Sequence, residues 1–307
     1  MFSRFIRYGI RPFCLTLLFM KPAYSQPEIA FVSDTQAPMW VETLALKSNR
    51  NVEATALVFD DILSQRPSSL VILGDVVTLG YKEKKWSRMD RYLDSCRTSG
   101  IQVSALLGNH DVMTRSRKGE SQFQRRFPDH NRTGFYQVKD SIAIVFLNSN
   151  FKKLGPDALA AQQHWYQQTL EALDGDPSVA LTIVACHHAP FSNSKIVGSS
   201  KSVQQYFVPG FLAARKARLF ITGHSHNYEL FRHAGKDFLV IGGGGGLTQP
   251  LSDKEDRLHD LSSSYKPQFH YLLLSRSPGH LCLTSRYLKP DFSGFEEGLS
   301  FSIAYPK

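Results

Sequence analysis

Five short segments rich in Asp, Asn, Gln and His follow one another along the chain, and each comes after an apolar, β-branched run. The segments are Ser-Asp-Thr-Gln at 33–36, Gly-Asp at 74–75, Gly-Asn-His-Asp at 108–111, His-His at 187–188 and Gly-His-Ser-His at 223–226. The preceding runs have the length and composition of buried strands. Because open α/β sheets place their sites at the carboxyl ends of strands, the pattern predicts an α/β fold with a site built from these segments.

The side chains in these segments suit a pair of metal ions. Two ions about 3.5 to 4 Å apart can neutralise phosphoryl oxygens, activate a hydroxide and stabilise a leaving group. Such a pair needs a carboxylate that can bridge, and Asp75 is the candidate. Imidazole suits Zn and Fe, whereas carboxylate and amide oxygens suit Mn. The mixed set therefore predicts two divalent or trivalent ions of Mn, Fe or Zn, without choosing among them.

From about residue 28 to about residue 245, the chain resembles the calcineurin-like metallophosphoesterases, and in particular their acid-phosphatase-like branch. The resemblance implies a four-layer α/β/β/α sandwich with two mixed sheets. It also implies a set of metal ligands: Asp34 and His226 for the first ion, Asp75 as the bridge, and Asn109, His187 and His224 for the second ion.

The resemblance assigns catalytic roles to two further residues. His110 would act as an acid toward the leaving oxygen, and Asp111 would orient its ring. A carboxylate that holds an imidazole is a common arrangement for proton transfer.

Two positions leave the ligand set open. The first segment of this family usually reads Asp-x-His, whereas here Gln36 replaces the imidazole with an amide. The first metal would then be bound more weakly or be a harder ion, and Gln36 remains a candidate ligand. In the fourth segment either His187 or His188 could bind the metal. We favour His187, because the predicted strand ends at Cys186 and the family's ligand follows its strand directly.

Two stretches near these segments have more than one interpretation. The glycine run 242–246 lacks a Lys-Ser/Thr pair, so we expect a loop whose backbone passes close to the metals and not a phosphate cradle. The basic stretch 112–132 could form a wall of the pocket or a solvated helix face.

The remaining pattern predicts one catalytic domain over residues 26–307. Helical periodicity occurs at 41–65, 82–99 and 158–173, alternating with the strands, and residues 268–290 read as a closing hairpin of the second sheet. With 307 residues and 42% hydrophobic content, the chain can bury one large core.

The first 25 residues have the features of a signal peptide. Three arginines precede a short apolar run, and Ala23-Tyr24-Ser25 is a small-x-small cleavage site. The run is too short to span a bilayer as a helix, so we expect no transmembrane span in the mature chain. Periplasmic location or secretion is the prediction, and a membrane anchor through an uncleaved N-terminus is the alternative.

Charge and cysteine content narrow the classes of partner. Removal of residues 1–25 takes away four cations and no acid, which lowers the net charge from +9 to +5. No nucleic-acid-binding module is evident, so a phosphate-ester substrate is the predicted partner. Three cysteines then remain without close spacing, which argues against a disulfide scaffold.

We therefore predict an exported phosphoesterase that uses a binuclear metal centre and a metal-activated hydroxide. Two alternatives stay open. One is a phosphodiesterase that acts on nucleotides or nucleic acid. The other is a degenerate, non-catalytic phosphate-binding protein, in which Gln36 has weakened the first metal site.

Overall fold

Two mixed sheets form the centre of the molecule in the computed structural model, which describes residues 28–253 and 257–306. The first sheet has the order β12-β11-β10-β1-β2-β3. Its strands are β1 (Ile29–Val32), β2 (Ser69–Ile72), β3 (Gln102–Ala105), β10 (His270–Ser277), β11 (His280–Leu288) and β12 (Phe295–Ala304). Strands β1, β2 and β3 are parallel, whereas β10 runs antiparallel to β1. The hairpin predicted at 268–290 is confirmed as the antiparallel pair β10–β11, but it lies in the first sheet and not in the second, and β12 pairs beyond it.

The second sheet has the order β4-β5-β6-β7-β9-β8. Its strands are β4 (Phe135–Lys139), β5 (Ile142–Phe146), β6 (Leu181–Ala185), β7 (Ala217–Thr222), β8 (Tyr228–His233) and β9 (Lys236–Ile241). Strands β5, β6, β7 and β9 are parallel, and an antiparallel strand lies at each edge.

Within the described residues, seven helices accompany the sheets. They are α1 (Asn51–Gln65), α2 (Glu83–Thr98), α3 (Ser116–Arg126), α4 (Phe151–Leu154), α5 (Pro156–Gly175), α6 (Lys201–Tyr206) and α7 (Val208–Ala213). The helices predicted at 82–99 and 158–173 are confirmed. The one predicted at 41–65 begins ten residues late, because residues 41–50 form only a 3-10 turn at Glu42–Leu44 followed by a loop.

Three apolar clusters lie between the layers that these elements form. Alternate residues of β1 face opposite sides: Ile29 and Phe31 pack between the sheets, whereas Ala30 and Val32 pack toward helices α1 and α2. A third cluster joins the outer face of the second sheet to α5 and α7. The order of layers is thus α/β/β/α, which confirms the predicted four-layer sandwich with mixed sheets.

Part of the basic stretch 112–132 is paired with acids. Arg126 forms ion pairs with Glu83 and Asp90, and Arg132 forms one with Glu120. Helix α3 ends at Arg126, two residues before Pro128. These contacts support the interpretation of this stretch as a helix face.

The predicted signal peptide lies outside the described residues. Among the residues that are described, no helix has the length and apolarity needed to cross a bilayer. Cys96, Cys186 and Cys282 are free thiols, as expected for a chain without a disulfide scaffold.

Candidate metal centre

The five segments meet where the carboxyl ends of β1, β2, β3, β6 and β7 come together at one edge of the sandwich. Sharp turns follow these strands, and three candidate ligands lie in the left-handed region of the backbone map: Asp34 at φ 59°, Asp75 at φ 50° and His224 at φ 65°. Non-glycine residues rarely adopt this conformation, and backbone strain of this kind concentrates at functional sites.

Two glycines in the segments allow the strand ends to approach each other. A Cβ atom on Gly108 would lie 2.1 Å from the backbone nitrogen of Asp75, and one on Gly223 would lie 1.9 Å from Ser33 Oγ. No side chain fits in that space. Because Gly108 and Gly223 lack side chains, the segments can lie in direct contact.

One group of candidate ligands surrounds Asp75. Atoms of Asp75, His187 and His224 lie within 4.8 Å of one another. His187 Nε2 is 3.3 Å from Asp75 Oδ2 and 3.1 Å from Asn109 Oδ1. His187 Nδ1 donates to Leu73 O at 2.9 Å, which leaves Nε2 as the ligand atom. This geometry groups the four residues expected at the second metal.

A second group contains Asp34, Gln36 and His226. His226 Nε2 is 3.4 Å from Asp34 Oδ1, and its Nδ1 donates to Leu247 O at 2.6 Å. The Gln36 amide is satisfied when its nitrogen donates to Asp34 O and Asp75 O, at 3.1 and 2.9 Å. That orientation directs the amide oxygen toward His226 Nε2, 3.4 Å away. Gln36 thus lies where the family pattern has a histidine.

The two neighbouring histidines of the fourth segment have different surroundings. His187 joins the group around Asp75, whereas His188 Nδ1 contacts Ser149 Oγ at 2.8 Å. Burial and the neighbouring His187 lower the pKa of His188 to about 3. Burial also favours the neutral ring of His187, but Asp75 outweighs it and raises the pKa of His187 to about 9. These contacts favour His187 as the ligand.

His110 is held by the chain in a way that the sequence did not reveal. Its Nδ1 contacts Thr78 O at 3.1 Å, and its backbone N–H donates to Asp75 Oδ1 at 2.8 Å. Its Nε2 therefore faces Asp75 Oδ2 at 3.9 Å and Glu42 Oε1 at 3.7 Å. Glu42 comes from the 3-10 turn that we had predicted as helix, and no signal in the sequence marks it.

The expected contact between Asp111 and the His110 ring is absent among the described hydrogen bonds, which corrects that expectation. Asp111 Oδ1 accepts from Val76 N at 3.1 Å and Val77 N at 3.2 Å, and Oδ2 accepts from Gly108 N at 2.9 Å. The Asp111 carboxylate is buried and joins the turns after β2 and β3. These backbone donors fix the position of the Asp111 carboxylate. The Thr78 carbonyl, and not Asp111, orients the His110 ring.

The glycine run 242–246 lies against the same site. A Cβ atom on Gly246 would lie 2.4 Å from His226 Cε1, and one on Gly244 would lie 2.4 Å from Ser33 O. Asn51 Nδ2 donates to the carbonyls of Gly245 and Gly246. The run therefore needs small residues for close packing, as expected.

The residues present fit a metal pair. Asp34 Oδ1 is buried without a hydrogen-bond donor, which is costly for a carboxylate unless a cation compensates it. The His187 and His226 rings each offer one nitrogen to the site, because a backbone carbonyl occupies the other. Nitrogen and oxygen atoms in this mixture suit Mn, Fe or Zn.

Comparison with known proteins gives one family and several solved structures. The model of the calcineurin-like phosphoesterase family matches residues 27–228. A search of curated proteins finds no match. The purple acid phosphatase PPD1 from yellow lupin (Lupinus luteus) has a TM-score of 0.67 at 15% identity, over 90% of this chain and 53% of that one. This chain thus spans about half of the length of the lupin protein.

Two further structures share the fold over nearly their whole length. GAP50, described as the anchor in the inner membrane complex of Plasmodium, has a TM-score of 0.63 at 15% identity, over 91% of this chain and 89% of that one. A dimetal phosphatase from Danio rerio has a TM-score of 0.55 at 12% identity, over 90% and 98%. At such identities the likeness concerns the fold.

Proposed function

The chain belongs to the calcineurin-like phosphoesterase family of phosphoric ester hydrolases, and from this premise we propose that it is an exported, two-metal phosphatase. One observation carries the proposal. The candidate ligands form two adjacent groups at the same edge of the sandwich. One surrounds Asp75 and lies beside His110, and the other contains Asp34 and His226.

In this proposal Asp34, Gln36 and His226 hold the first metal, and Asn109, His187 and His224 hold the second. Asp75 lies between the groups, since its carboxylate contacts His187 and its backbone carbonyl accepts from Gln36. When bound, two such ions would neutralise phosphoryl oxygens and lower the pKa of the attacking water. Mn, Fe and Zn are the proposed metals.

His110 is the proposed general acid. Its Nδ1 is bound to the Thr78 carbonyl, so the proton available for transfer is on Nε2, which faces the site. The Glu42 carboxylate at 3.7 Å attracts a protonated ring and limits its rotation. The contacts of Nδ1 with Thr78 and of Nε2 with Glu42 would then orient the ring for proton transfer to the leaving oxygen. The Asn109 amide lies beside His187 and can contact a phosphoryl oxygen.

Export is the second part of the proposal, and it rests on the arginines, the apolar run and the Ala23-Tyr24-Ser25 site of the N-terminal segment. We propose that residues 26–307 form the mature single domain.

A test compares para-nitrophenyl phosphate with its bis ester, using protein that lacks residues 1–25 and contains Mn, Fe, Zn or a chelator. We expect metal-dependent turnover of the monoester. Asp75→Asn should lower kcat by more than about 100-fold with loss of bound metal. Mutation of a residue that only hydrogen-bonds to a metal ligand already costs about 10–100-fold in metal affinity or activity, and Asp75 is a proposed ligand itself. His110→Ala should lower kcat by about 100-fold or more for an alkyl phosphate, and by much less for para-nitrophenyl phosphate, whose leaving group needs little protonation, while metal content stays unchanged.

Each other outcome selects a different function. Preference for the bis ester would identify a phosphodiesterase. Fewer than two metals per chain together with no turnover would identify the non-catalytic binding protein, an alternative that Gln36 supports.

A further inference from the structure

A cavity of about 540 Å³ lies between α1 and α2, behind the turns that carry the candidate ligands. None of the residues that line it is a proposed metal ligand: Thr35, Ala37, Val52, Thr55, Val76, Val77, Thr78, Lys82, Lys84, Lys85, Ser87, Arg88, Met89 and Tyr92. Sites for small molecules usually measure about 300–1,000 Å³, so the volume is sufficient for an organic ligand.

The charge of the lining has one sign. Lys82, Lys84, Lys85 and Arg88 contribute four cations, and among the described residues no Asp or Glu lines the cavity. Within residues 28–253 and 257–306, no salt bridge to an acid involves any of the four. Glu83, the one acid in this stretch, instead pairs with Arg125 and Arg126 of α3. The four cations therefore remain available to an anionic ligand.

The position of these cations is unfavourable for the free protein. Lys84 and Lys85 lie in the first turn of the 16-residue helix α2, and Lys82 precedes it. Cations at a helix N-terminus oppose the helix dipole, and like charges close together repel each other. A bound anion relieves both effects.

The floor of the cavity is apolar. Val52, Val77 and Met89 contribute side chains, and the Tyr92 ring is fixed by stacking on Phe59 at 4.8 Å between centroids. The threonine hydroxyls donate to backbone carbonyls. Recognition of an anion therefore depends on the four cations, while the floor suits an organic group.

We propose that this cavity is a second binding site, distinct from the metal centre, for an organic phosphate. The phosphoryl group would lie among Lys84, Lys85 and Arg88, and the organic group would pack on the valines and Tyr92. Thr35 and Val76 form one wall of the cavity and are adjacent in sequence to Asp34 and Asp75. The proposal concerns binding and does not depend on catalysis at the metal centre.

The test is calorimetric titration of the full chain with phenylphosphonate, which cannot be hydrolysed, and with inorganic phosphate. We expect a class of phenylphosphonate sites that persists after chelator treatment and binds more tightly than phosphate does. In Lys84→Gln/Lys85→Gln/Arg88→Gln, the Kd of that class should rise at least about tenfold, as three lost surface ion pairs would require. Thermal melting verifies that the variant is folded.

The matched control is Lys152→Gln/Lys153→Gln/Lys201→Gln, which removes the same charge from exposed residues that do not line the cavity. Its Kd should stay within about twofold of the parent value, because distant surface charges are screened by salt. Equal weakening in both variants, no chelator-resistant class, or equal affinity for phosphate and phenylphosphonate would each overturn the proposal.

Discussion

Glu42 shows how a single residue from outside the five polar segments enters the site. Its Oε1 lies 3.7 Å from His110 Nε2, and its Oε2 accepts from Met39 N at 2.6 Å. The carboxylate is thus anchored at one oxygen while the other faces the proposed acid. Neither Glu42 nor Thr78 could be predicted from sequence, because a contact between residues 32 to 68 positions apart depends on how two loops pack.

We expect Glu42→Gln to lower kcat by about tenfold for an alkyl phosphate, since it weakens a general acid that contributes about 10²–10⁴-fold. For para-nitrophenyl phosphate, whose leaving group needs little protonation, the loss should be small. KM should change little for either ester. The measurement is steady-state kinetics on both esters, with Glu53→Gln as a control because Glu53 pairs with Arg50 on the surface and, among the described residues, has no contact with His110. Equal losses on the two esters would exclude a role for Glu42 through His110.

His270 is a buried residue whose protonation opposes folding. Both ring nitrogens lack hydrogen-bond partners, and burial together with Lys266 lowers the pKa of His270 to about 3. The unfolded chain binds this proton near pH 6.5, so between pH 6.5 and about 3 it holds more protons than the folded chain. The contribution of neutral His270 to the free energy of unfolding is therefore fully present above pH 6.5 and is lost as the pH falls.

The free energy of unfolding of the parent protein should accordingly fall by about 2 kcal/mol from His270 alone between pH 7.5 and 5. His270→Gln cannot titrate, so its loss over the same interval should be smaller by about that amount. Urea unfolding at the two pH values measures the difference. Parallel losses in the two proteins would show that His270 takes up its proton in the folded chain as it does in the unfolded chain.

At the scale of elements, Asp111 connects two turns. It accepts from backbone N–H groups of Val76, Val77 and Gly108, which places it between the turns after β2 and β3. Both turns carry candidate ligands. The acid was foreseen as a site residue, but its true partners are backbone groups that no side-chain pattern encodes.

We expect Asp111→Ala to lower the free energy of unfolding by about 3 kcal/mol or more, because each buried N–H left without an acceptor costs about 1–3 kcal/mol. Metal affinity should fall as well, since the turns that position Asp75 and Asn109 lose their link. Chemical denaturation and metal titration provide the measurements. Asp94→Ala, on an exposed face of α2, should match the parent in both. A stable variant with normal metal affinity would contradict the role of Asp111 as a link between the turns.

The predicted elements were accurate where an apolar face has a partner. Strands before the five segments and helices α2 and α5 were predicted from periodicity, because each buries its apolar residues. Residues 41–50 carry apolar side chains as well, but Val41 and Leu44 are exposed, at 49% and 75%. Periodicity records the spacing of apolar residues and not whether anything packs on them.

At the scale of the whole molecule, pairing between distant strands was beyond the sequence pattern. Ile29 of β1 pairs with Leu274 of β10 on one side and with Ser69 of β2 on the other. Local signals do not specify which of many strands becomes a neighbour. The family resemblance supplied the four layers, and the structure added the strand order that brings both sheets to the site.

The same arrangement makes a prediction about the N-terminal segment. Strand β1 is central in its sheet, and its pairing on both sides begins at Glu28, whose N–H donates to Leu274 O and whose carbonyl accepts from Ser69 N. Protein that begins at Gln26 should therefore melt at the same temperature as longer forms.

When the full chain is expressed in a Gram-negative host, we expect a periplasmic product whose intact mass corresponds to cleavage after Ser25. Ala23→Asp/Ser25→Asp should block cleavage and keep the protein with the membrane fraction. An uncleaved parent protein in that fraction would favour the anchored alternative, and a cytoplasmic one would contradict export.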